Sequence, residues 1–166
     1  LNQFVIETVV DDGPSAIDTV SVFHLTFELS QAPSPVLTFG AGGHTVSPLP
    51  NGDLLLVGGS FLVGNVSGLD AHRLPSGESS FRPERGLPVF GRVGHTTTVL
   101  PDGRLLILGG ADVGNIQTVD DLHEAVEVFD PSTDTFKQIP VSGPPIRRTY
   151  HSAILRVVQD RTFVVV

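Results

Sequence analysis

Gly94-His95-Thr96-Thr97-Thr98-Val99-Leu100-Pro101-Asp102-Gly103-Arg104-Leu105-Leu106-Ile107-Leu108-Gly109-Gly110 decides the fold. It reads as an apolar strand, a tight turn at Pro101-Asp102-Gly103, and a second apolar strand closed by two glycines. The pattern occurs 51 residues earlier as Gly43-His44-Thr45-Val46-Ser47-Pro48-Leu49-Pro50-Asn51-Gly52-Asp53-Leu54-Leu55-Leu56-Val57-Gly58-Gly59. The chain therefore contains a repeat, and a period of this length is the signature of solenoids and propellers.

Working outward, each hairpin is followed by a loop and two more short strands. In the first repeat the reading predicts strands near 44–49, 54–57, 69–74 and 79–82, with the loop at 60–68. The Asn51-Gly52 turn is a strong hairpin signal, because both residues tolerate positive φ. In the second repeat the third and fourth strands fall at 124–129 and 135–139, after a polar loop at 111–122, and Phe136 takes the place of Phe81. A third unit opens at Arg147-Arg148-Thr149-Tyr150-His151-Ser152, with strands expected at 153–158 and 163–166. His44, His95 and His151 thus hold one position in successive units.

Before the first full repeat lie a β-type run at 4–10, a turn at 11–15, and an alternating stretch at 19–29 that fits one long strand or two short ones. The run at 4–10 reads as a second strand without its first. The organisation is one propeller domain: a partial blade at 1–35, blades at 36–88 and 89–145, and the start of a further blade at 146–166. Four short strands cannot bury both faces of their sheet. Stacked sheets in a ring can, and the all-apolar second strands 54–57 and 105–108 suit positions packed on both sides.

Composition agrees. The chain has 166 residues, with 18 glycines and 13 prolines between apolar runs, as in turn-rich all-β proteins. A net charge of −8 with a single lysine, Lys137, argues against a nucleic-acid backbone binder. No apolar run approaches the roughly 18 residues that span a bilayer, so no membrane span is expected. There is no cysteine, hence no disulfide and no thiolate ligand or nucleophile within the chain. Methionine is also absent and the chain opens at Leu1. Together with material for about three blades, this predicts a fragment of a larger propeller. The remaining blades would come from the same longer chain or from other copies.

The pattern Arg92-x-x-His95, then Leu100-Pro101-Asp102-Gly103, then Gly109-Gly110, Val128-Phe129-Asp130-Pro131 and Phe136 resembles a kelch repeat. Phe136 and Phe81 stand where that family usually has tryptophan, and Ala41 stands where the later repeats have Arg92 and Arg148. The resemblance implies an all-β propeller of four-stranded blades. It implies a protein-interaction or scaffolding module with a protein partner and no cofactor, rather than an enzyme. Arg92, Arg147 and Arg148 precede first strands. They are candidates for binding an anion or acidic peptide at the channel mouth, or else for capping carbonyls and pairing with a carboxylate of the next blade.

Tyr150-His151-Ser152 also resembles the galactose oxidase and glyoxal oxidase family, which has a similar propeller. That resemblance implies Tyr150 and His151 as copper ligands of a copper radical oxidase. The family's second tyrosine and its cysteine are absent from this chain. A third reading is a structural protein whose chains associate to close the ring. The three repeat histidines are read as structural. Asn65-Val66-Ser67 is a glycosylation acceptor triplet, and the acidic pairs Asp11-Asp12 and Asp120-Asp121 are solvated loop residues or oxygen ligands for a divalent cation.

Overall fold

The structure, a computed structural model, describes residues 5–10, 19–26, 28–31, 42–59, 71–112, 122–143, 147–159 and 161–166, the first three ranges as backbone. Among the described residues there are thirteen strands and no helix. β1 (Val5–Val10), β2 (Thr19–Thr26) and β3 (Glu28–Gln31) form one antiparallel sheet. The stretch at 19–29 therefore resolves into two strands.

β4 (Thr45–Pro48), β5 (Leu54–Val57), β6 (Ala71–Leu74) and β7 (Arg82–Pro83) form a four-stranded meander. β8 (Thr96–Val99), β9 (Leu105–Leu108), β10 (Val126–Asp130) and β11 (Thr135–Ile139) form a second. β12 (Ile154–Val158) and β13 (Arg161–Val165) begin a third. Innermost strands of successive sheets are neighbours, β4 with β8 and β8 with β12. This is a partial β-propeller: stacked antiparallel blades that, among the described residues, do not close a ring.

The two hairpin turns have the same geometry. Gly52 N donates to Leu49 O at 2.9 Å and Leu49 N to Asp53 O at 2.8 Å. Gly103 N to Leu100 O and Leu100 N to Arg104 O repeat these distances. Of Asn51 and Gly52, the glycine alone has positive φ, +88°. The turn is thus a three-residue Pro-Asn-Gly loop, not the two-residue type that Asn-Gly also permits. Asn51 Oδ1 accepts from Asp53 N, just as Asp102 Oδ1 accepts from Arg104 N, both at 3.1 Å.

The core lies between the two complete blades. From the first come Leu55, Val57 and Ala71; from the second come Leu105, Ile107, Phe129 and Phe136. Leu54 and Leu105 are repeat-equivalent, so Leu55 and Val57 project from one face of their sheet, and Leu105 and Ile107 from the opposite face of theirs. Face-to-face stacking requires that opposition, and it explains why neither strand alternates with polar residues. Phe129 and Phe136 meet at 4.6 Å across β10 and β11, a tilted pair that contributes about 0.5–1.5 kcal/mol beyond its buried area.

The fourth strand of the first blade is shorter than the sequence predicts. Instead of 79–82 it is the two-residue β7, and Phe81 lies outside it. Pro83 has no N–H to continue the ladder, which confines it to an edge. The expected loop at 60–68, and residues 113–121 of the other, lie outside the described residues.

Candidate functional site

The residue before each repeat histidine is held with positive φ: Gly43 at +74°, Gly94 at +64° and Tyr150 at +50°. Gly94 N donates to Gly43 O at 2.8 Å, and Tyr150 N donates to Gly94 O at 2.7 Å. A backbone chain thus runs from blade to blade where the innermost strands begin. Two blades place glycine there and the third places tyrosine. A left-handed conformation costs a bulky L-residue roughly 1–2 kcal/mol. Tyr150 is 73% exposed. Its ring lies over Gly94, where an added Cβ would stand 3.1 Å from Cδ2 and Cε2, and its hydroxyl reaches over Gly43.

The histidines lock the same seam. His95 Nε2 is 2.9 Å from Thr45 Oγ1, and His151 Nε2 is 3.0 Å from Thr96 Oγ1. Thr45 Oγ1 also meets Thr97 Oγ1 at 2.6 Å. Each ring packs on the first glycine of the preceding blade's pair: a Cβ on Gly58 would lie 2.8 Å from His95 Cε1, and one on Gly109 2.6 Å from His151 Cε1. Gly59 N bonds Arg92 O at 2.9 Å, and Gly110 N bonds Arg148 O at 2.6 Å. The repeated Arg-x-x-His and diglycine are thus two halves of one interlock between blades. Burial pushes His95 down to about 3, with the Arg92 guanidinium acting in the same direction. Burial lowers His151 as well, assisted by Arg148.

Arg92 does not line a mouth. It is fully buried, and its Nε donates to Glu127 Oε2 at 2.8 Å, Nη1 to Gly109 O at 2.5 Å and Nη2 to Ala125 O at 2.7 Å. The carboxylate belongs to its own blade, on β10, and not to the next one. Glu127 Oε1 also accepts from Val89 N at 2.5 Å. Arg148 is exposed and donates from Nη1 to Val166 O at 3.1 Å. Arg147 is exposed and pairs with Glu124. Of the three arginines expected to bind together, the structure buries one and points another along its own blade.

A second ionic cluster, absent from the sequence reading, joins the two complete blades. Arg73 on β6 reaches Glu84 at 2.6 Å, Asp53 at 3.3 Å and, across the boundary, Asp134 at 2.5 Å. The signal for it, and for Glu127, was a lone charge inside an apolar strand: Arg73 in Ala71-His72-Arg73-Leu74 and Glu127 in Val126-Glu127-Val128-Phe129.

The candidate copper ligands Tyr150 and His151 are adjacent in sequence and make separate contacts, the phenol over Gly43 and Gly94 and the imidazole against Gly109. The phenol is exposed. His151 has Nε2 on Thr96 and an enclosed Nδ1 without a partner. His95 has the same enclosed Nδ1, so that feature belongs to the repeat and does not mark a metal. As placed, His151 Nε2 is taken up by Thr96 and is not turned to an ion beside the phenol. Among the described residues no group of three or more His, Cys, Asp or Glu converges as a metal site. Asn65, Asp11, Asp12, Asp120 and Asp121 lie outside the described residues.

No protein-family model matches the chain, and no curated protein sequence matches it. Among solved structures it is similar to a fungal alcohol oxidase of the AA5 family in complex with copper. The TM-score is 0.64 at 19% identity, covering 82% of this chain and 30% of that one. The chain thus spans less than a third of the oxidase's length, and the likeness is one of fold alone.

Proposed function

We propose that the chain is a segment of a kelch-type propeller that works as a protein-interaction or scaffolding module, with its contact surface at the channel mouth around Tyr150. The observation that carries this reading is Tyr150 itself. An exposed aromatic occupies a left-handed position that the preceding blades fill with glycine. Strained residues held by a rigid surround cluster at functional sites, and tyrosine is enriched among residues that dominate binding energy. The interlocked seam supplies the rigid surround.

The test is site-specific photo-crosslinking in the full-length protein, in its native cells. A photoreactive phenylalanine analogue at position 150 should give a discrete partner adduct. The same group at Val99, an exposed position at the other end of its inner strand, should not. Equal labelling at both positions, or none at 150, would reject the reading.

A second reading has its own support, in Tyr150-His151-Ser152 and in the fold likeness to a copper-bound alcohol oxidase. Under it, these blades belong to a copper radical oxidase, with Tyr150 and His151 as ligands and the rest of the set outside this chain. His151 would then have to turn away from Thr96. Copper titration of the full-length protein, followed by electron paramagnetic resonance, separates the two readings. One ion per chain, lost in both Tyr150→Phe and His151→Ala, would replace the interaction reading with the oxidase reading.

A further inference from the structure

The hairpin turns of the two complete blades share one backbone geometry and differ in charge. In the first blade Asp53 is buried, and its carboxylate is taken up inside the blade by Ser76 N at 2.8 Å and by Arg73 at 3.3 Å. In the second blade Arg104 stands at the position of Asp53, and Val128 at that of Arg73. Arg104 has no charged partner inside its blade and turns outward onto Asp102, with Nε at 2.9 Å and Nη2 at 2.7 Å from Oδ2. An exposed pair of this kind adds little to stability. The turn does not require the guanidinium either, because its backbone bonds have the same lengths with Asp53 in that place.

These outward charges open onto a groove of about 390 Å³ between the two blades, at the end opposite Tyr150. Such a volume lies at the lower end of the range of small-molecule sites, about 300–1,000 Å³. Pro50 of the first blade and Pro131 of the second supply apolar rings to it, and Arg104 and Asp130 supply charge. Asp130 Oδ1 accepts from Ser132 N at 2.9 Å and from Ser132 Oγ at 2.6 Å. Those two bonds, with the nearby charges of Arg104 and Lys137, hold Asp130 below the usual carboxylate range. Among the described residues Asp130 Oδ2 accepts no hydrogen bond and Arg104 Nη1 donates none. The two side chains feel each other's charge, yet Arg104 pairs with Asp102 and not with Asp130. The groove thus offers an open acceptor and an open donor of opposite sign that do not satisfy each other.

That pairing selects among ligands. A simple anion would meet the carboxylates of Asp102 and Asp130. A simple cation would meet Arg104. A molecule carrying both signs close together meets each charge with its opposite. We propose that this groove binds a small zwitterion of the free α-amino acid class. Its ammonium would bond Asp130 Oδ2, its carboxylate Arg104 Nη1, and an apolar side chain would rest on Pro50 and Pro131. The site is independent of what Tyr150 contacts.

The probe is L-leucine, titrated calorimetrically into the full-length protein. N-acetyl-L-leucine, which lacks the ammonium, and L-leucinamide, which lacks the carboxylate, are titrated beside it. The expected result is saturable binding of leucine that weakens about tenfold or more in either derivative. Asp130→Asn and Arg104→Gln should each weaken leucine to a similar degree. Asp130→Asn should also erase the preference for leucine over its N-acetyl derivative, and Arg104→Gln the preference over the amide. No saturable binding of leucine overturns the proposal. So does equal binding of all three compounds, which needs no variant to interpret. Leucinamide bound more tightly than leucine would overturn it in favour of a simple cation site. Leucine binding unchanged in both variants would overturn it by placing the ligand elsewhere in the protein.

Discussion

His95 Nε2 lies 2.9 Å from the hydroxyl of Thr45, across the boundary between the first and second complete blades. His151 stands in the same relation to Thr96, one blade on, at 3.0 Å. One residue type thus ties each blade to its predecessor, through the first residue of the innermost strand.

This seam should be acid-sensitive. His95 ordinarily titrates at 6.5 but is pushed to about 3 by burial, with Arg92, His44, His151 and His123 as the facing positive or titratable groups. The unfolded chain binds a proton between those two values and the folded chain does not. Stability is therefore full above about 6.5 and falls as pH drops toward 3, by roughly 1.4 kcal/mol per pH unit for this one group. Urea denaturation from pH 7 to pH 4 should show the slope, and His95→Gln should flatten it by about one proton. An unchanged slope in that variant would assign the acid sensitivity to other groups.

The Arg92–Glu127 pair should behave as a unit. Both side chains are at most 1% exposed. Glu127→Ala leaves a buried guanidinium without its counter-charge, which costs about 3–5 kcal/mol. The first blade shows a substitute set: Ala41 at the arginine position and buried His72 at the glutamate position. Arg92→Ala combined with Glu127→His should thus be less destabilising than the sum of its parts by about 2 kcal/mol or more. Denaturation of the two single variants and the double variant measures this, and simple additivity would count against it.

Much of this was legible in the sequence, because the hairpins are local. β5, β9 and β11 fall where the apolar runs and turns put them, and the repeat spacing alone placed His44, His95 and His151 alike. What the sequence did not show is where a side chain points across a blade boundary. Arg92 has the look of a surface ligand until Glu127 is brought to it over 35 residues by the pairing of β9 with β10. The strain at Tyr150 was equally hidden. It becomes visible when Gly43 and Gly94 are seen to share its backbone conformation.

The Arg73 cluster should show graded effects. The Glu84 side chain is 3% exposed and that of Asp134 is 34% exposed. Arg73→Ala would leave the Glu84 charge buried and should cost about 3 kcal/mol. Asp134→Asn removes a partly exposed charge, and asparagine tolerates the φ of +53° at that position. Its cost should stay below about 1 kcal/mol. Chemical denaturation ranks the two, and a reversed order would place the stabilising ion pair at the blade boundary instead of within the first blade.

Tyr150 separates fold from function. Its ring is largely exposed, so removing it forfeits little burial, while its φ of +50° favours glycine. Tyr150→Gly should therefore be more stable than Tyr150→Ala by about 1 kcal/mol and close to the parent chain. If Tyr150 is kept for contact with a partner, the glycine variant will also lose that contact while holding its blades together. Denaturation midpoints, measured beside partner capture by the full-length protein, test both halves. A glycine variant less stable than the alanine variant would mean that Tyr150 holds its backbone without strain, and strain would then no longer mark position 150 as a contact site.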